Sequence, residues 1–244
     1  MEDWKLDPAH DLGLPFKERL RSLRRESGLL ESGMHLFWWL MLRAYFRAYH
    51  RLEIHGLEHL PAEPPFACIG NHSSHLDALA LAASLPARWR DSIFPIAAGD
   101  TFFNTPAVAA FAAFILNALP MWRRNCGSHS MQMLRQRLVE DKSIYILFPE
   151  GTRSRDGKLG AFKPGLGMLV AGTPVPVVPC HLQGAFHAFA PHQKLPRPRK
   201  IILRIGKPIS FPNNKNERAG WMEVAAVSQV AVEALQFEAS NAIK

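Results

Sequence analysis

An α/β fold, with a mostly parallel central sheet flanked by helices and an N-terminal interfacial helical segment ahead of it, is what three features of this chain predict. From residue 65 onward, short apolar runs bounded by glycine or turn residues recur. Stretches of helical length separate them, and strands that alternate with helices pair in parallel through crossovers. Before residue 55 the pattern differs: aromatic and basic residues interleave at helical spacing, as at a lipid interface.

Phe66-Ala67-Cys68-Ile69-Gly70 is the first buried-type strand, and Ile93–Ala98, Ser143–Phe148, Val175–His181 and Lys200–Ile205 read likewise. Helices are expected over 74–84, 105–117, 128–140 and 219–239. Leu195-Pro196-Arg197-Pro198-Arg199 is a proline-spaced basic loop. A chain of 244 residues supports one substantial core. Residues 1–55 are therefore expected to form a helical membrane-associating segment and residues 56–244 a single α/β domain.

Within the N-terminal segment, residues 14–32 set Arg19, Arg21, Arg24 and Arg25 against Glu18, Glu26 and Glu31, a solvated or headgroup-facing helix. Residues 34–52 carry Phe37, Trp38, Trp39, Tyr45, Phe46 and Tyr49. Met34 through Leu42 is uncharged but ends at Arg43, far short of the roughly 20 residues of a spanning helix. A helix lying in the interface with snorkelling arginines is expected, the alternative being a helix packed on the core. Thr101 through Trp122 is also uncharged, and its length alone allows a span. Asn104, Pro106, Asn117 and Pro120 punctuate it, and a span there would put motifs that need one fold on opposite sides of a bilayer. A hydrophobic helix, buried or dipping into one leaflet, is expected instead.

A formal net charge of +8 calls for an acidic partner: nucleic acid, an anionic membrane surface or a phosphorylated substrate. No helix-turn-helix, zinc-finger or aromatic RNA-binding signature accompanies the basic residues, so nucleic acid is set aside. The aromatic-basic segment favours a membrane surface. Cys68, Cys126 and Cys180 are odd in number and unpatterned, which suits reduced, buried thiols. The polar start Met1-Glu2-Asp3-Trp4-Lys5 is not a secretory signal. The expected location is the cytoplasmic face of a membrane.

Two segments carry chemistry. Asn71-His72-Ser73-Ser74-His75-Leu76-Asp77 offers an imidazole and, five residues on, a carboxylate that can fix its tautomer. Ser73 or Ser74 is placed to cap a helix whose first turn holds Asp77. His72, His75 and Asp77 could instead be zinc ligands, but their order matches no metallo-hydrolase spacing, and no metal is assigned. Phe148-Pro149-Glu150-Gly151-Thr152-Arg153-Ser154 follows an apolar strand, where open α/β sheets bind ligands. Gly151 permits close backbone approach, and the Arg153 fork suits phosphate. Glu150 could orient Arg153 or accept from a substrate hydroxyl. Lys163, at a helix start, and Arg123 with Arg124 are further candidate phosphate ligands.

These two segments resemble the N-H-x4-D and F-P-E-G-T-R-S blocks of the glycerolipid acyltransferases, the 1-acyl-sn-glycerol-3-phosphate (lysophosphatidic acid) acyltransferase family. Leu119-Pro120-Met121-Trp122-Arg123 is similar to the arginine block between them, and Val175-Pro176-Val177-Val178-Pro179 to the final block. Trp122 departs from the small polar or acidic residue often found before that arginine. The resemblance implies His72 as base and Asp77 as its partner. It implies Glu150, Gly151 and Arg153 in acceptor binding, Arg123 on the phosphate and Pro179 as structural, and Thr152 and Lys163 are the further substrate-binding candidates. It further implies direct acyl transfer from acyl-CoA or acyl-carrier protein to the sn-2 hydroxyl of 1-acylglycerol 3-phosphate. Phosphatidic acid would be the product, with no cofactor beyond the thioester co-substrate. A different lysolipid or alcohol acceptor, and a non-catalytic lipid-binding protein on the same scaffold, are the alternatives.

Overall fold

The computed structural model describes residues 13–23, 29–98, 105–121 and 128–241. Among these are seven strands: β1 (Glu53–His55), β2 (Phe66–Gly70), β3 (Ile93–Ala98), β4 (Leu119–Met121), β5 (Ile144–Leu147), β6 (Val177–Gln183) and β7 (Ile202–Ile205). They form one sheet in the order β1-β7-β6-β2-β5-β3-β4. Every pairing is parallel except β6 with β7. The expected mostly parallel sheet is therefore present, with β1 and β7 running against the rest.

Side chains of the central strands alternate between two apolar layers, as the period of two requires. Phe66, Cys68, Ile144 and Ile146 enter one layer, and Ala67, Ile69, Tyr145 and Leu147 the other. Helices α2 (Leu29–Tyr49) and α3 (Asp77–Ser84) cover the first layer through Leu42, Phe46, Ala80 and Leu81. Helices α5 (Ser128–Glu140), α6 (Gly165–Val170) and α8 (Arg218–Asn241) cover the second through Leu134, Leu138, Leu169 and Val224. Contact between α6 and α8 is close: a Cβ on Gly167 would sit 2.3 Å from Trp221 Cα. Only glycine fits there. Burial of this two-sided kind is why the strands read as continuous apolar runs.

The two strands outside the expected set are β1 and β4, and each closes one edge of the sheet. Glu-Ile-His is largely exposed, and Leu-Pro-Met contains a proline that edge strands tolerate. Both lack the apolar run that announces a central strand. β1 lies on the N-terminal side of the boundary drawn at residue 55, and α2 shares the core of the sheet. β1, by pairing with β7, and α2, through Leu42 and Phe46, are thus packed onto the sheet.

Helix α1 (Phe16–Arg21) precedes α2. Along α2, one face buries Leu42 and Phe46, while Met34, Phe37, Leu40 and Met41 stand exposed, Phe37 at 65%. No helix among the described residues is long and apolar enough to cross a membrane. The uncharged stretch 101–122 is not one helix over its described part. Helix α4 (Pro106–Ala110) widens into a π-helical turn, Phe111–Ile115, and then gives way to β4. Asn117 adopts φ +50° and donates to the carbonyls of Asp91 and Ile93, which turns the chain out of helix. Ala109, Ala112, Ala113 and Ala118 are buried with Leu20. Cys68 and Cys180 are free and buried, whereas Cys126 lies outside the described residues.

His181 is buried in β6 with its Nδ1 unpaired, and burial, helped by Arg204, holds its pKa down to about 4. The unfolded chain takes a proton there near pH 6.5, whereas the folded chain resists until about pH 4. Between those values the unfolded state holds more protons, so stability rises with pH. His181 costs nothing above the window and up to about 3 kcal/mol by its lower end. In denaturant titrations, wild type should lose stability more steeply than His181→Gln as pH falls through this window. Equal slopes would refute the assignment.

Candidate active site

β2 and β5 are adjacent and parallel, with Ile69 opposite Leu147. Three residues further along each chain stand His72 and Glu150, so the register brings the two motif loops together. The chain leaves β2 through α3 toward β3, but leaves β5 toward β6, on the other side of β2. Connections that diverge in this way open a crevice at the carboxyl ends of the strands. The candidate site lies there.

His72 Nδ1 is 2.9 Å from Asp77 Oδ2. The same oxygen accepts the amides of Ser73 and Ser74, each at 2.7 Å. Asp77 is fully buried at the start of α3, so three donors fix it against the loop. Ser74 takes up the expected capping role at the entry to α3: its Oγ accepts from Leu76 N while the Asp77 carboxylate reaches back to the Ser74 amide, a reciprocal pair. Ser74 Oγ also donates to Phe189 O. The His72 ring stacks on Phe148, with centroids 4.1 Å apart and planes at 14°. With Nδ1 committed and the side chain 23% exposed, Nε2 is the nitrogen left for substrate.

Glu150 ties the loops together. Its Oε1 accepts the His72 amide at 2.6 Å and its Oε2 the Gly160 amide at 2.8 Å. In return, the Ser154 amide donates to His72 O at 2.7 Å. Burial pushes the Glu150 pKa up, and the two amide bonds oppose that shift. Both oxygens are occupied within the protein, by backbone and not by Arg153. The Arg153 guanidinium meets the ring of His75, whose pKa is lowered by burial and then by that cation. His75 therefore stays neutral and accepts from Arg153. It also packs on Phe189 at 4.7 Å.

Gly151 takes φ +73°, and a Cβ there would lie 2.9 Å from Lys163 Nζ. Glycine at this turn lets Lys163, whose own amide donates to Pro149 O, lay its side chain across the loop. Thr152 is exposed beside it. The structure thus gathers His72, Asp77, Glu150, Gly151, Thr152, Arg153 and Lys163 at one sheet end. Arg123 and Arg124 lie outside the described residues. Among the described residues no three His, Cys, Asp or Glu side chains converge as a metal requires.

Three contributors escaped the sequence reading. Asn71 exchanges two hydrogen bonds with the Leu182 backbone, Nδ2 to O at 3.0 Å and N to Oδ1 at 2.8 Å. It extends the β2–β6 pairing through a side chain. Phe148 supplies the stacking surface and Gly160 a clamp amide. Asn71 and Phe148 stand inside the motif segments, but only the tertiary pairing reveals their work.

The solved 1-acyl-sn-glycerophosphate (LPA) acyltransferase PlsC of Thermotoga maritima has the same fold. It superposes with a TM-score of 0.61 at 23% identity, over 84% of this chain and 79% of that one. A chloroplastic 1-acyl-sn-glycerol-3-phosphate acyltransferase, BAT2 of Brassica napus, is 34% identical over 151 residues, covering 60% of this chain and 40% of the relative. The mouse 1-acyl-sn-glycerol-3-phosphate acyltransferase alpha is 26% identical over 175 residues, or 70% of this chain and 59% of the relative. The chain therefore spans between 40% and 59% of the length of these two relatives. The Acyltransferase family model matches residues 51–183, from before β1 to the end of β6 and through every candidate residue above. By that match, over more than half its length, the chain belongs to the Acyltransferase family.

Proposed function

We propose that this chain transfers a fatty acyl group from a thioester to the sn-2 hydroxyl of a 1-acylglycerol 3-phosphate. The observation that carries the reading is the His72–Asp77 pair, with Nδ1 held at 2.9 Å by a buried carboxylate and Nε2 left for substrate. Two relatives named 1-acyl-sn-glycerol-3-phosphate acyltransferases support the acceptor class.

His72 Nε2 takes the proton of the hydroxyl as its oxygen attacks the thioester carbonyl. Asp77 keeps the proton on Nδ1 before the step and stabilises the imidazolium after it. Collapse of the tetrahedral adduct breaks the carbon–sulfur bond, and the leaving thiolate recovers the proton from His72. Phe148 and the Glu150 clamp hold the imidazole in place, so that attack is close to unimolecular once both substrates are bound. Arg153 and Lys163 face the acceptor phosphate, with Arg123 the further candidate. Acyl-CoA and acyl-carrier protein are the donors of this class.

The exposed stripe Met34, Phe37, Leu40 and Met41 continues to Val108 and Phe111, whose ring meets Trp38 at 6.0 Å. An apolar patch on α2 and α4 of a basic protein suits shallow immersion in an anionic leaflet. We assign the protein to a membrane surface on this ground.

His72→Ala should abolish thiol release across a panel of lysolipid acceptors while leaving the circular dichroism spectrum intact. Full residual turnover would sink the base assignment. Glu150→Gln keeps one acceptor oxygen but sets an NH2 against a backbone amide, which costs about 1–3 kcal/mol. The expected result is a lowered kcat with acceptor KM within about twofold of wild type. A large rise in acceptor KM would make Glu150 a substrate ligand instead. Phe37→Ser should weaken sedimentation with anionic vesicles without changing turnover of a short-chain, soluble acceptor; unchanged sedimentation would remove α2 from the membrane surface.

A further inference from the structure

The proline-spaced loop 195–199 takes no part in the site above, yet its backbone is pinned on both sides. Arg197 N donates to Ala188 O at 2.7 Å, at the far end of the loop from the sheet. Tyr49 Oη donates to Pro196 O at 3.1 Å, and the buried His50 donates through Nδ1 to Arg199 O at 3.0 Å. Tyr45 Oη donates to the other nitrogen of His50, which fixes the tautomer. A loop held this firmly presents Arg197 and Arg199 in set positions.

They line a cleft of about 620 Å³ together with Arg51, Lys200, His187 and His192. No carboxylate among the described residues lines it. Lys200 is bound to Glu53 at 2.7 Å, while Arg51, Arg197 and Arg199 have no carboxylate partner among the described residues. Arg51 also sits at φ +48°, a costly conformation for a residue with a long side chain. The floor is aromatic: the Phe186 ring meets His187 at 5.6 Å and His192 at 6.3 Å. Guanidinium groups without carboxylate partners, in one cleft with aromatic rings, suit phosphates joined to a flat heterocycle.

A second cavity of about 250 Å³, a trough beside the cleft, shares Gly184, Phe186 and His187 with it as lining and is bordered by Asn71 and Ser73, the chain neighbours of His72. Asp156 borders this trough, so it disfavours phosphate, and Asn71, Ser73, Gln183 and Gln236 give it a neutral polar lining. The trough therefore suits an uncharged arm with amide groups.

We propose that the cleft holds the 3′-phospho-ADP part of a coenzyme A thioester, with the pantetheine arm laid along the trough toward His72, an inference that rests on the acyl-transfer reading above. Its concave shape and aromatic floor fit a nucleotide better than the flat acidic face of a carrier protein. The arginines bind the phosphates by charge-assisted hydrogen bonds, and the arm delivers the thioester carbonyl to the acceptor hydroxyl at His72. Donor affinity is thereby set by residues remote from the reacting atoms.

Arg197→Gln/Arg199→Gln tests this, since both side chains are exposed and the loop is held by its backbone. KM for acyl-CoA should rise roughly tenfold or more, with kcat and acceptor KM within about twofold. S-acyl-phosphopantetheine, which lacks the nucleotide, should be used equally by wild type and variant. Calorimetry with 3′,5′-ADP needs no turnover: wild type should bind it and the variant should not. Arginine-dependent binding without turnover on any acceptor would uphold the cleft and overturn the acyl-transfer reading. Equal 3′,5′-ADP binding by both proteins would overturn the cleft assignment. So would a loss confined to acyl-carrier protein substrates, to acceptor KM, or to anionic vesicle binding.

Discussion

The parallel register of β2 beside β5 is the constraint on which the site depends. Ile69 opposite Leu147 sets His72 and Glu150 at the same height beyond the sheet. Glu150 then seals the register by accepting the His72 amide on one oxygen and the Gly160 amide on the other. Slippage by one residue would exchange the two faces of β2 and break both core layers. Position at the site is thus enforced by burial across the whole sheet, and the carboxylate adds only the last increment of precision.

A second consequence concerns charge. Asp77 and Glu150 are both buried, and both are held by backbone amides rather than by lysine or arginine. Amide dipoles solvate the carboxylates without a counter-cation that would compete for the imidazole. The cations of the site stand further out, with Arg153 against a neutral His75 and Lys163 over Gly151. Negative charge bonds to His72 itself, and positive charge lies against its loop neighbours His75 and Gly151. That polarity suits a reaction in which an imidazolium forms transiently and an anionic acceptor must be held nearby.

Much of this was legible in the chain. The five central-domain strands expected from apolar runs are present, because strands buried on both faces need such runs. The 128–140 helix matched its residues because both its apolar face and its boundaries are local features. Edge strands β1 and β4 were not legible, since an edge needs neither length nor apolarity. Within the 101–122 stretch the helix expected over 105–117 is present as α4 and its π-helical turn, and its lack of charge marks the burial of Ala109, Ala112 and Ala113. The turn at Asn117 into β4 was not legible, because it rests on bonds to the Asp91 and Ile93 carbonyls. At the candidate site, residue types and spacing pointed to the pairing of His72 with Asp77, which is local in the chain. Glu150 was visible as a residue but not as a clamp, because its partners are backbone amides that carry no sequence signal.

On the proposed reading, the two sides of the sheet's carboxyl end take up different portions of the donor and acceptor. The α2 and α3 side is apolar and continues into the exposed stripe on α2, where acyl chains are compatible. The α7 (Ala185–Phe189) side carries a polar trough and, sharing lining residues with it, a basic cleft where phosphates are compatible. His72 stands between them, tied to α3 by Asp77 and to α7 through Ser74 and His75 on Phe189. A thioester donor has the same two-sided character, with a hydrocarbon tail and a polar, phosphorylated arm joined at the reacting carbonyl. Such a molecule reaches both environments only with that carbonyl near the seam. The segregation of polarity across the crevice would then place the thioester beside the base before any specific contact to the carbonyl is made.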